Sequence, residues 1–256
     1  MNPPEYKDIF QISSEQEFNE ACLKVFRYQA EQNKVYSEYL SHLDRSIDNI
    51  KIVEDIPFLP IELFKCQEII CGEPSGIEVI FSSSGTTGSR RSKHIVKEID
   101  IYKKSFLSAF KLFYGKPQDF RILALLPSYL ERTGSSLIYM VDELIKKSNQ
   151  PESGFFLNNL DDLRTILSKK STAKTLLIGV SFALLDFIEN GKMSLENTIV
   201  METGGMKGRR KEITREELHK ELTEGFGVST IHSEYGMTEL LSQAYSNGNG
   251  IFHTPP

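Results

Sequence analysis

From Phe81 to His94 the chain reads FSSSGTTGSRRSKH, and every residue from Ser82 to Ser89 is serine, threonine or glycine. Glycine lets a backbone turn its N–H groups inward, and hydroxyls add further donors, so such a loop can line an anion. Arg90, Arg91 and Lys93 follow directly and supply permanent positive charge. A polyphosphate is the natural occupant; a flexible polar linker is the alternative for the same composition. Two residues separate Gly85 from Gly88, which fits neither the Walker GxxxxGK(S/T) pattern nor GxGxxG. Two further stretches carry chemistry, Glu202-Thr203-Gly204-Gly205 and Ser233-Glu234-Tyr235-Gly236-Met237-Thr238-Glu239. The five histidines are scattered and no GxSxG elbow occurs, so a Ser-His-Asp hydrolase is not expected.

These residues need a scaffold, and the hydrophobic pattern suggests one. Ser14 and Glu17 stand at capping-box spacing ahead of Phe18, Cys22, Val25 and Phe26 on one stripe, which predicts a helix toward Leu40. Ile56-Pro57-Phe58-Leu59-Pro60 cannot lie inside a helix and reads as an extended connector packing onto the following unit. Strands are expected at 77–81, 120–126, 175–180, 198–201 and 229–232. Helices are expected over 100–114, 135–147, around 184–188, and from the capping box Thr214/Glu217 to about Gly225. Near-continuous apolar strands alternating with helices predict a mostly parallel sheet covered on both faces. Such sheets bind ligands at the carboxyl ends of their strands, so the loops after Phe81, Leu126, Met201 and His232 are where a site is sought.

SSSGTTGSRRSKH resembles the phosphate-loop motif (S/T)SGTTGxPK of the adenylate-forming superfamily. SEYGMTE resembles the YGxTE motif of the same superfamily, and Glu202-Thr203-Gly204-Gly205 its glycine-containing adenine segment. Ile56–Pro60 and Leu125-Leu-Pro-Ser-Tyr-Leu-Glu-Arg-Thr-Gly-Ser-Ser136 are similar to segments of the LuxE-type acyl-protein synthetases, and the likeness covers roughly residues 50 to 245. The resemblance implies an α/β fold: a large N-terminal AMP-binding domain with mostly parallel sheets flanked by helices, the small C-terminal domain missing. Residues 1–75 form a helical and connector region in this reading, and residues 76–256 the nucleotide-binding region.

The activity implied is ATP-dependent activation of a carboxylic acid, a fatty acid for this type, to acyl-AMP, followed by transfer to a protein thiol. Transfer to coenzyme A and a truncated ATP-binding module are the alternatives. Ser83, Ser84, Gly85, Thr86, Thr87 and Gly88 are then expected to wrap the phosphates of ATP. Arg90-Arg91 stands where the pattern has Pro-Lys, with Lys93 beyond, so the cationic catalytic role falls to Arg91 or Lys93. Glu239 is implied as the Mg2+ ligand and Thr238 as a catalytic partner of the α-phosphate. Tyr235 and Gly236 pack on adenine or ribose, and Gly204 and Gly205 let the backbone approach adenine; a tight turn needs the same glycines. Ser128, Tyr129 and His94 are expected near the acid, His94 otherwise being structural. The sequence ends at Thr254-Pro255-Pro256, ahead of the superfamily's lysine-bearing domain, so weak or absent adenylation is expected of this chain alone.

Composition bounds the partners. With 39% apolar and 25% charged residues the chain can bury an ordinary core. A net charge of −5 with both signs interspersed argues against nucleic acid as a partner. Cys22, Cys66 and Cys71 form no CxxC pair, so neither zinc nor a disulfide framework is expected. No signal peptide is read at the N-terminus, and no run approaches the roughly 18 apolar residues of a membrane span. A cytoplasmic protein is the expectation.

Overall fold

The computed structural model describes residues 9–84, 90–127, 133–206 and 208–255. The chain divides into two compact units, Met1–Ile101 and Tyr102–Pro256.

In the first unit the capping box forms as its spacing demands: Ser14 Oγ accepts from Glu17 N at 3.2 Å, and Glu17 Oε2 accepts from Ser14 N at 3.2 Å. It opens helix α1 (Glu15–Gln32), which stops short of Leu40. Asn33 adopts extended backbone, and its side chain caps a second helix, α2 (Lys34–His42), by accepting from Tyr36 N. An Asn side chain competes well for helix-end donors, so one expected helix becomes two. Phe26, Ala30, Tyr36, Leu40 and Ile50 form the core here. The proline-rich connector packs on this core through Ile56 and Leu59, and Tyr36 Oη donates to Pro57 O at 2.8 Å. Strands β1 (Val79–Ser82) and β2 (Lys93–Val96) then pair antiparallel.

Helix α3 (Ile99–Phe113) crosses the division between the units; Glu78 Oε2 accepts from Ile99 N at its start, and Gly115, at φ +101, follows its end. The second unit then runs β3 (Phe120–Leu125), α4 (Ser136–Ser148), β4 (Gly154–Phe155), α5 (Leu160–Ser168), β5 (Lys174–Val180) and α6 (Ser181–Glu189). It continues with β6 (Thr198–Thr203), α7 (Arg215–Phe226), β7 (Ile231–Gly236) and β8 (Gln243–Ser246). The sheet has the order β4-β3-β5-β6-β7-β8, parallel except for β8. Strand β3 is buried at every position, as a run covered on both faces must be. Among the described residues no helix is long and apolar enough to cross a membrane.

Side-chain contacts assign the layers. Tyr102 of α3 and Met140 of α4 reach Gln243 and Tyr245 on one face. His219 of α7 and Ser181 of α6 reach Ser233 and Glu202 on the other. On that second face Arg121, only 4% exposed, ties β3 to β5 and α5: it reaches Thr175 Oγ1 at 3.0 Å, Ile166 O at 3.3 Å and Glu152 at 2.6 Å.

Gly225 sets the approach of α7 to α6. A Cβ there would lie 2.8 Å from Ile188 Cβ, a distance that a side-chain rotation cannot relieve. Gly225→Ala gains up to about 1 kcal/mol of helix propensity and loses about 1–3 kcal/mol to overpacking. A lower urea midpoint than wild type is the expected outcome; a raised one refutes the close approach.

Candidate functional site

The hydroxyl- and glycine-rich run joins β1 to β2, so it is a hairpin loop and not a strand-to-helix turn. Of the leading strand only Phe81 is buried. The apolar run 77–81 was read as a buried strand of a parallel sheet, a reading that periodicity alone cannot separate from a hairpin arm. Pairing continues one step past the strands: Ser83 N donates to Ser92 O at 3.1 Å, and Ser92 N donates to Ser83 Oγ at 3.0 Å. The Ser83 N–H is therefore spent, while its hydroxyl proton remains to be donated. Ser84, Arg90 and Arg91 are exposed beyond this closure, and Lys93 is exposed on β2 just before it. Gly85, Thr86, Thr87 and Gly88 lie outside the described residues, as do Ser128 and Tyr129. His94 pairs with Phe81 across the hairpin and sets its ring edge-on to Phe64 at 5.6 Å.

The first unit also holds a cavity of about 510 Å³ lined by Phe18, Val25, Phe26, Val53, Ile56 and Phe58 among others. Its polar wall is already bonded: Gln29 Oε1 accepts from Asn33 Nδ2 at 3.1 Å and from Cys71 Sγ at 3.1 Å. The sequence reading missed this cavity because its walls come from α1 and the connector together.

In the second unit the strand order places β4 and β5 on opposite sides of β3. Such a reversal of winding opens a crevice outside the carboxyl ends of the two strands that flank it, here β3 and β5. The loop that begins at Leu126-Pro127 leaves from this point, as does Ser181, which was not anticipated. Strands β6 and β7 run further than expected, through Thr203 and Gly236. Their ends are polar, and the period of the sequence hid them as loop; in the fold those side chains find partners and the ladder continues.

On the α6 and α7 face, Glu202 is 6% exposed. Its Oε1 lies 3.5 Å from His219 Nε2 and 3.6 Å from Arg215 Nε, and its Oε2 lies 3.3 Å from Ser181 Oγ, whose one proton has Gly204 O as its nearer acceptor. Ser181 Oγ also lies 2.8 Å from Gly204 O. Ser233 Oγ lies 3.4 Å from the same His219 nitrogen. A serine–histidine–acid relay needs the acid and the hydroxyl on opposite ring nitrogens. Both meet Nε2 here, and Ser233 is fully buried. The cluster is an ion-pair network and not a nucleophile.

On the α3 and α4 face, Thr203 Oγ1 donates to Glu234 Oε2 at 2.6 Å. Burial pushes the Glu234 carboxyl up to about 7, and the nearby Glu202 charge adds to this against the Thr203 hydrogen bond. Burial likewise raises Tyr102, Tyr114 and Tyr245, and the Glu234 charge acts in the same direction. His232 is pushed down by burial, partly offset by Asn247, and its Nδ1 lies 3.2 Å from Tyr114 Oη.

Past these layers the chain emerges. Tyr235 is 49% exposed, with its ring edge-on to Phe252 at 5.9 Å. Gly236 is exposed, and Thr238 and Glu239 are half-buried in the turn after it, where Leu240 N donates to Met237 O. Gly204, at φ +67, and Gly205 are exposed beyond β6, and a Cβ at Gly205 would meet nothing closer than 3.9 Å. The second unit thus brings Gly204, Gly205, Tyr235, Gly236, Thr238 and Glu239 to the carboxyl ends of β6 and β7 or just beyond. Among the described residues no three or more His, Cys, Asp or Glu gather as a metal cage. A magnesium ion held mainly by phosphate needs only one such carboxylate, which Glu239 fits. Buried Gln243 and half-buried His219 were missed, since nothing in their local sequence marks them, and Glu234, inside the SEYGMTE run, was given no role of its own. No protein-family model matches the chain, and a search of curated proteins gives no significant match.

Proposed function

We propose that the chain binds ATP with Mg2+ and activates a carboxylic acid as its acyl-AMP, for transfer to a thiol of a protein or of coenzyme A. The observation that carries this reading is the hairpin loop closed by Ser83 and Ser92, with Arg90, Arg91 and Lys93 exposed at its base. Hydroxyls, glycines and cations are what a triphosphate requires, and the chain carries all three between the closing pair and its flanks. Glu239 holds the metal in this reading, Thr238 meets the α-phosphate, and Tyr235 with Gly204 and Gly205 receives the nucleoside. Mg2+ supplies neutralisation of phosphate charge, and the protein supplies position. The apolar cavity of the first unit suits a hydrocarbon segment, which favours a fatty acid over a small polar one.

The test is direct. ATP with Mg2+ is expected to raise the melting temperature, and ligand at about a hundredfold its Kd adds about 2.7 kcal/mol of stability. The double variant Thr86→Val/Thr87→Val removes most of that gain. Pyrophosphate exchange with a panel of acids then reads the chemistry. No shift with ATP in the unaltered chain ends the proposal.

A second reading, a nucleotide-binding module that does not turn over, predicts the same melting shift with no pyrophosphate released.

A further inference from the structure

Among the described residues, Oε1 of Gln243 is a buried acceptor with no partner. Tyr102 Oη donates to Ser136 O at 3.1 Å, so its one proton is committed and it must accept from Gln243 Nε2, also at 3.1 Å. Gln243 is the cross-strand partner of Gly236, and Glu234 sits two residues earlier on the same face. The Glu234 side chain curls over Gly236: a Cβ built there would lie 2.7 Å from Glu234 Oε1 and 3.8 Å from Gln243 Cγ. The other carboxyl oxygen is taken by Thr203. An acceptor that needs a donor and a carboxyl oxygen that can become one thus meet around Gly236, on one face of the sheet.

We propose that Glu234 holds a proton at neutral pH and donates it to Oε1 of Gln243. This closes an uncharged hydrogen-bond chain from Thr203 on β6, through β7 and β8, to Tyr102 on α3 and Ser136 on α4. Every member is at most 8% exposed. The charged alternative sets a carboxylate against a carbonyl oxygen in a buried site, which costs both groups their solvation. The groups acting on Glu234 are consistent with the neutral form. Tyr102 from α3, Tyr114 after it and Tyr245 from β8 feel its charge, Glu202 from β6 is a like charge, and none of these is a cation. His232, two residues back on the same strand face, is pushed toward its neutral form.

The chain is a clamp on the strand pair that carries Tyr235, and it senses pH. The folded carboxyl titrates at about 7 against an ordinary 4.5. Between those values the unfolded chain has released the proton and the folded chain retains it. Stability is therefore greatest below the lower value, falls as pH rises toward the upper one, and is level above it.

Protein carrying 13C-labelled glutamate carboxyls is expected to show one resonance that titrates near 7 and is lost in Glu234→Gln. In Gln243→Met the same titration moves down by about one pH unit, the worth of one hydrogen bond to the neutral acid. The urea midpoint of the unaltered chain falls between about pH 5 and about pH 8, while Glu234→Gln, whose amide still donates to Oε1, shows a flatter profile. A carboxyl that titrates in the ordinary range overturns the proposal, as a trapped water bonded to Gln243 requires; so does a raised titration that Gln243→Met leaves in place.

Discussion

Glu152→Ala is expected to cost more stability than Arg121→Met, although the acid is the more exposed partner of the pair. The Arg121 side chain is 5% exposed and that of Glu152 35%. Removing Glu152 leaves a guanidinium inside the sheet layer with only Thr175 Oγ1 and Ile166 O to receive it. Orphaning a buried charge costs about 3–5 kcal/mol, and the exposure of Glu152 argues for about 3 here. Arg121→Met removes the charge and keeps the bulk. Glu152 then returns to water with Lys169 already 3.9 Å away, and the loss reduces to the Thr175 hydroxyl, about 1–2 kcal/mol. The double variant is accordingly expected to be more stable than Glu152→Ala alone, a reversal of sign that independent sites cannot produce. Urea denaturation of the four proteins measures it. Equal single losses that simply add refute the buried-charge account.

Glu239→Gln is expected to remove the magnesium-dependent part of ATP affinity within the proposed function. The substitution keeps shape and hydrogen-bonding capacity and removes one hard, charged oxygen. A contact with a charged group is worth about 1.5–3 kcal/mol, which is about tenfold to a hundredfold in Kd. Calorimetric titration with ATP, with and without Mg2+, separates the effects: the variant weakens the metal-loaded titration and leaves the metal-free one unchanged. If both weaken equally, Glu239 supports the turn and the metal lies elsewhere. Because Glu239 is half-buried in a turn held by Leu240 N and Met237 O, the backbone is expected to survive the change.

Much of the second unit was legible because the middles of its central strands are apolar and its helices begin and end on residues with local reasons to do so. Thr214 and Glu217 form the predicted reciprocal cap, and Gly227 closes α7 in the left-handed conformation. Asn33 shows the limit of such reasoning. Its preference for a helix end is as local as the stripe it interrupts, but nothing in the stripe says which of the two prevails. The ends of β6 and β7 failed for a different reason. Glu202, Thr203, Ser233 and Glu234 look like loop residues until Ser181, His219 and Arg215 on one face and Gln243 beyond the other are brought to them.

The order of strands, the hairpin setting of the hydroxyl-rich loop and the burial of Glu234 and Gln243 depend on which segments pair and which layers close over them. No periodicity records such pairings, since each side chain's burial is set by a partner many positions away. The amino-acid order by itself marks where an anion is proposed to bind, through runs of glycine, hydroxyl and cation whose chemistry is local. It also determined that a largely parallel sheet would form, through apolar strands that no single covered face could bury. Which polar groups lose their water, and so which carboxyl keeps its proton, was decided only when α3 and β8 closed over β7.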